Sequence, residues 1–278
     1  MNTIQEWLNF FNRVSCFYVQ MYMLPLWRKY PEFATDPWHS LAIFLEGYAF
    51  ERQGRNPGYF HAAVDALFYC KQQSNSRLTP NVVYEIWEQF SQLLDNQNLN
   101  PKNNPLFPQQ GRGQKVPLIQ AVLNESVQPH STLTTYLQNR IIRENDIQPA
   151  FDFLKSIRGI GNKVASFYLR DLVVRLSIDL SQTRNRELLQ PIDIWVKRTI
   201  TILADYPDMD NIQVANWIVT SSVKSGLNLE QINMGIWFFC SQIVGSQYRL
   251  KKVLSDLREA EKLVFDFKKR VENLLRNC

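Results

Sequence analysis

Apolar residues recur three and four positions apart along nearly the whole chain, and alternating runs bounded by turn signals are hard to find. That pattern dictates helices and leaves little material for a sheet, so the expected fold class is all-α. The spacing predicts helices near 3–21, 37–53, 58–72, 80–95, 116–124, 131–143, 147–157, 162–176, 192–204, 211–223, 229–244 and 247–276. Twelve such segments imply an orthogonal multi-helix bundle rather than a four-helix one. With 278 residues, 45% of them hydrophobic, the chain can bury a sizeable core in one large domain or two merged ones.

Two stretches read as loops. Asp95 to Gln114 is rich in Asn, Pro, Gln and Gly and polar enough to be mobile; Ser177 to Gln190 carries Asp179, Ser181, Arg184, Asn185 and Arg186. The last predicted helix differs from the others. Val253, Leu257, Ala260, Val264, Phe267, Val271 and Leu274 alternate four and three residues apart, the spacing of a heptad seam. It reads as a long helix lying against its own domain, with an intermolecular coiled coil as the alternative. The expected organisation is therefore a main domain over 1–248 and a terminal heptad-patterned helix over 249–278, in a monomer rather than a coiled-coil dimer.

The formal charge of +5 and a sequence pI near 9.0 favour a polyanionic partner without requiring one. Cys16, Cys70, Cys240 and Cys278 form no CxxC pair, which argues against a zinc ribbon, a thioredoxin-like site or a disulfide framework and suits a reducing cytoplasm. Glu6, Asn9, Asn12 and Arg13 interrupt the apolar N-terminus, so neither a signal peptide nor a membrane helix is expected, and a soluble, cytoplasmic protein is. His39, His61 and His130 are far apart in sequence, and no Walker-type GK[ST] loop or HExxH motif occurs, so no metal site is expected.

The chemistry points to one stretch, Phe153 to Leu169. An amphipathic helix ends at Ile157, a short turn follows, and a second helix begins near Asn162 within a hairpin spanning 147–176. Gly159 and Gly161 permit positive φ and leave amides unobstructed, so the turn can present several N–H groups beside a helix start to one phosphate. Ile160 between them would plug into the helix pair. Lys163 stands on the first turn of the second helix, where the positive end of the helix dipole opposes an ammonium and favours the neutral amine, a nucleophile. The competing reading of the turn is an ordinary αα-corner whose glycines end one helix.

Downstream, Leu189 to Arg198 places Asp193 in the first turn of another helix, behind Pro191, where the dipole stabilises the anion; a plain N-terminal cap is the structural alternative. Breaking an N-glycosidic bond builds positive charge on the sugar as the base departs. Such a site needs a fixed anion and a nucleophile for C1′. Asp193 and Lys163 are candidates for the two roles, and an amine nucleophile would leave a Schiff base from which β-elimination can proceed.

These residues resemble the helix-hairpin-helix glycosylases with a Gly/Pro-rich loop and a catalytic aspartate, the superfamily that contains endonuclease III and the 8-oxoguanine glycosylases. Gly159-Ile160-Gly161-Asn162-Lys163-Val164-Ala165 is similar to that family's G-[VI]-G-x-K-x-A element, whose lysine forms the Schiff base, and Pro191-Ile192-Asp193-Ile194-Trp195-Val196 to its P-V-D-x-x-V element. The resemblance implies two merged helical subdomains with the active site in the cleft between them, DNA containing a damaged base as partner, and combined glycosylase and AP lyase activity. The four clustered C-terminal cysteines of endonuclease III have no counterpart, so no iron-sulfur cluster is expected; a monovalent cation held by hairpin carbonyls is compatible with the resemblance.

The long gap from Lys163 to Asp193 resembles the archaeal 8-oxoguanine branch. There the extruded base stacks between an aromatic four residues after the lysine and a tryptophan on a later helix, positions held here by Phe167 and Trp237. Asn233 falls where that branch has an aspartate that hydrogen-bonds the base. The segment Phe50 to Phe60 loosely resembles a helix-loop-helix beside the pocket, with Tyr59 as the aromatic contact. The base must leave the stack to reach any of them. Arg158, Lys155, Arg170, Lys197 and Arg198 are candidates for a phosphate track. The expected activity is excision of an oxidised purine, 8-oxoguanine first, with a glycosylase for another modified base or a non-catalytic DNA-binding module as alternatives.

Overall fold

A computed structural model describes residues 3–50, 56–73, 78–100, 104–108, 115–125 and 131–276, and for 125 and 274–276 the backbone alone. Residues 51–55 of the pocket-side segment, His130, Cys278, the side chain of Leu274, and 101–103 and 109–114 of the first loop lie outside that description.

Among the described residues the regular structure is helical, with no strand and two isolated bridges. In chain order the helices are α1 (Ile4–Tyr18), α2 (Leu24–Lys29), α3 (Pro37–Phe44), α4 (Pro57–Gln73), α5 (Pro80–Asp95), α6 (Leu118–Glu125), α7 (Leu133–Glu144), α8 (Gln148–Ser156), α9 (Asn162–Arg175), α10 (Ile194–Leu203), α11 (Asn211–Lys224), α12 (Leu229–Phe238), α13 (Gln247–Val253) and α14 (Leu257–Arg276). π-helical turns extend α1, α3 and α12, at Val19–Met23, Leu45–Ala49 and Phe239–Val244.

The local chemistry explains the starts. Capping boxes open α1 (Thr3 with Glu6), α7 (Thr132 with Thr135) and α11 (Asp210 with Gln213), and prolines follow the capping residues of α3 and α5.

Among the described residues there are fourteen α-helices where twelve were expected. The expected helix over 247–276 is two: α13 stops at Val253, and the Asp256 carboxylate accepts the Arg258 amide at 3.0 Å, opening α14 afresh. The apolar spacing runs unbroken through that corner, which is why the break is invisible to periodicity. α2 follows directly on the π turn after α1 and was absorbed into the region between two expected helices.

Contacts divide the chain into two units, Leu24–Leu188 and the pair of segments Met1–Met23 and Leu189–Cys278. The core of the Leu24–Leu188 unit is aromatic: Trp27 stacks on Tyr168, and Phe44 and Tyr48 meet the same Tyr168 ring at 5.0 Å. In the other unit α1 packs closely on α12. A Cβ on Gly235 would lie 1.8 Å from the Phe11 carbonyl oxygen, so only glycine fits there. Phe10, Phe11 and Phe239 fill the adjoining space.

α14 also lies on this unit. Ala260 is fully buried, Phe267 meets Phe17 and Phe238 edge-on, and Glu261 pairs with Arg13 at 2.9 Å. Among the described residues no helix is long and apolar enough to cross a membrane.

Candidate functional site

The hairpin forms as the glycines dictate. α8 ends at Ser156, Ile157 is extended, Gly159 takes φ +76°, and α9 starts at Asn162 with Gly161 in the capping position. Ile160 is fully buried, plugging the turn between the helices. Because Gly161 has no side chain, the start of α9 has no side-chain cap, and the amides of Gly159, Gly161 and Asn162 donate to no group among the described residues.

The first loop and the residues after it contribute more than composition promised, and Val116, expected to open the helix over 116–124, lies outside α6. Val116 lies alongside Ile157 as a bridge, donating to Ser156 at 3.1 Å and accepting from Arg158 at 2.8 Å. Asn104 and Leu106 are buried, and the Arg158 guanidinium lies 4.5 Å over the Phe107 ring. Lys115 donates from Nζ to the Ile160 carbonyl at 2.9 Å. That carbonyl therefore already carries a tethered ammonium. The second loop is tied down by Asp146, which accepts from Asn185 at 2.7 Å and pairs with Arg184 at 3.1 Å.

Lys163 is the second residue of α9 and half-buried; Phe167, four residues on, shares its face of the helix. The Phe167 ring meets Tyr48 edge-on at 5.0 Å, and the Arg170 guanidinium lies 4.9 Å over it. Arg170 leaves the phosphate track by this observation. It is buried, and its Nε and Nη2 both reach Asp171 Oδ1, at 2.9 and 2.7 Å, while Tyr48 donates to Asp171 Oδ2 at 3.0 Å. Only a paired and hydrogen-bonded charge is tolerated at such depth. Tyr48 and Asp171 were not singled out in the sequence, because neither lies in a motif. Tyr59 stacks on Phe50 and donates its hydroxyl to the Asn100 carbonyl at 3.1 Å.

Asp193 belongs to the other unit and sits one residue before α10, as its N-cap rather than within its first turn. Its Oδ1 accepts from the amides of Trp195 and Val196, both at 2.9 Å. Nearby, Cys240 is buried and 3.1 Å from the Thr199 hydroxyl; burial pushes its thiol up to about 12, the Thr199 hydrogen bond opposes this, and the Asp193 charge adds to it. Asn233 and Trp237 share a face of α12. Asn233 is fully buried, and the half-buried Trp237 ring takes edge contacts from Tyr18 and Tyr22 at 5.8 and 5.7 Å.

Lys163, Phe167 and the turn thus fall in Leu24–Leu188, and Asp193, Asn233 and Trp237 in the other unit. Among the track candidates, Lys155 lies over the Phe151 ring, Lys197 is half-buried and Arg198 is exposed.

Away from these residues, ligand atoms of Glu32, Asp36 and His39 lie within 4.8 Å of one another. The Lys71 ammonium is hydrogen-bonded to Asp36, which also caps α3. A cation already bound there competes with any metal ion.

No protein-family model matches the chain, and no solved structure matches it. An uncharacterized protein of Methanocaldococcus jannaschii is 24% identical over 300 aligned residues, covering 86% of this chain and 67% of that one. Its name states no activity, so the functional reading rests on the residues described above.

Proposed function

We propose that the chain is a DNA glycosylase and AP lyase with the helix-hairpin-helix glycosylase fold, acting on an oxidised purine, 8-oxoguanine first. The observation that carries this reading is the hairpin: a positive-φ Gly159, a buried Ile160 and an uncapped start of α9 that bears Lys163 on its first turn. Open amides at a helix start suit a phosphodiester oxygen. A half-buried lysine beside them suits an amine nucleophile.

In the reaction Nζ of Lys163 attacks C1′ with its lone pair, and the glycosidic C–N bond breaks, its electron pair leaving with the base, which takes up a proton. Asp193 supplies the anion that offsets positive charge on the sugar. Loss of a proton from the new ammonium and opening of the C1′–O4′ bond give the Schiff base. Removal of a C2′ proton then expels the 3′ phosphate by β-elimination, and water hydrolyses the imine to free Lys163. Asp193 is suited to its part because Oδ1 takes both helix amides, fixing the carboxylate.

Phe167, its ring held by Tyr48 and Arg170, serves as a face for the extruded base. Asn233 favours a second reading on the same scaffold. A buried amide both donates and accepts where a carboxylate only accepts, so a modified base other than 8-oxoguanine is the alternative substrate.

The test is a panel of duplexes bearing single 8-oxoguanine, alkylated or deaminated bases, scored for released base and for cleaved strand. Release and cleavage on 8-oxoguanine are expected. Release from a different lesion alone moves the assignment to the second reading, and duplex binding with no release from any lesion reduces the protein to a non-catalytic DNA-binding module.

A further inference from the structure

Resting on that reading of the hairpin, we propose that Lys115 is the hairpin's resident cation, a chain-borne ammonium that strengthens its grip on a phosphodiester without help from a solution ion. Lys115 Nζ lies 2.9 Å from the Ile160 carbonyl oxygen. That oxygen and the Gly161 N–H belong to one planar trans peptide and point in opposite directions. An ammonium on the oxygen draws electron density through the peptide and makes the Gly161 N–H a stronger donor on the far side. The Gly161 amide donates to nothing among the described residues and adjoins the uncapped start of α9. Charge and donor are therefore in line across the turn.

The placement of Lys115 is built rather than incidental. The next residue, Val116, is clamped to the hairpin by hydrogen bonds to Ser156 and from Arg158, so the backbone that carries Lys115 runs beside the turn. Ile160 is buried, which lowers the local dielectric and raises the weight of one charge. A solution cation at this carbonyl would meet the ammonium and be repelled. The hairpin should then be indifferent to which monovalent ion is present, beyond ordinary screening.

The experiment measures affinity of the full chain for a fluorescent duplex bearing a stable abasic-site analogue, at constant ionic strength in sodium, potassium and choline chloride. Wild type is expected to bind equally in all three salts. Lys115→Met is expected to weaken binding about tenfold in choline and to recover part of the loss in sodium or potassium, which reach the vacated carbonyl while choline does not. Lys115→Arg should keep most of the affinity. A role confined to bracing the loop would not produce the recovery by small cations.

Wild-type binding that depends on the identity of the cation overturns the inference with no variant needed, as does Lys115→Met binding at wild-type strength in every salt. Absence of wild-type binding to any duplex would end the functional reading itself, and this inference with it.

Discussion

The starts of α9 and α10 both leave backbone amides aimed along a helix axis, and the chain treats them in opposite ways. At α9 the capping residue is Gly161, which offers no acceptor, and the amides stay open beside a lysine. At α10 the capping residue is Asp193, whose Oδ1 takes two amide hydrogens. An uncapped start forgoes about 1 kcal/mol that a side-chain cap contributes. The hairpin offsets this by burying Ile160, Val164 and Ala165. The contrast separates two treatments of one electrostatic feature: α9 leaves its positive end uncapped, and α10 uses its own to hold a carboxylate still.

Substitution can break that contrast at either end. The largest effect is expected from Lys163→Ala, which should lower strand cleavage of an abasic duplex by about a thousandfold in a gel assay. Its melting temperature should stay within about 2 °C of wild type, because no cap or core group is removed.

Next comes the pair Asp193→Asn and Asp193→Ala. Both should slow base excision by about a hundredfold. Only the alanine variant should also lose about 1 kcal/mol in urea unfolding, since asparagine caps a helix as well as aspartate does. Equal stability loss with full excision in both would leave Asp193 a cap and nothing more.

Gly159→Ala should cost about 1 kcal/mol, from an L residue forced to φ +76°, and weaken duplex binding. Excision rates at saturating protein should change less than binding, placing the hairpin on the affinity side of the contrast.

The smallest effect concerns Cys240, near Asp193. Its thiol stands at about 12 in the fold against an ordinary 9.0, so the neutral thiol is favoured by folding. That stability is intact below pH 9 and is lost as pH rises from 9 toward 12, where the unfolded chain releases the proton first. Urea midpoints compared at pH 8 and 10.5 should therefore fall less in Cys240→Ala than in wild type. An identical fall in both would contradict the burial of this thiol.

Helix positions were legible because their apolar spacing is regular and their starts carry caps such as Thr132 and Asp210. The hairpin was legible for the same kind of reason: Gly159 and Gly161 act locally, within one turn. What could not be read are groups whose meaning is set by distant partners. Arg170 looks like any helix arginine until the fold brings Tyr48 to the other oxygen of Asp171. Lys115 directly follows the loop whose composition suggests mobility, and Val116 pairing with Ser156 and Arg158 sets it on the turn. The corner between α13 and α14 was hidden because Val253 and Leu257 keep the heptad spacing across it while Asp256 restarts the helix.

The central claim is that the amine at the open start of α9 is the nucleophile. Borohydride reduction of the protein with an 8-oxoguanine duplex, followed by peptide mass spectrometry, addresses it most directly. A covalent protein–DNA adduct carried on Lys163, absent from Lys163→Ala, is the predicted result; an adduct on another residue, or none from a protein that does release the base, would contradict it.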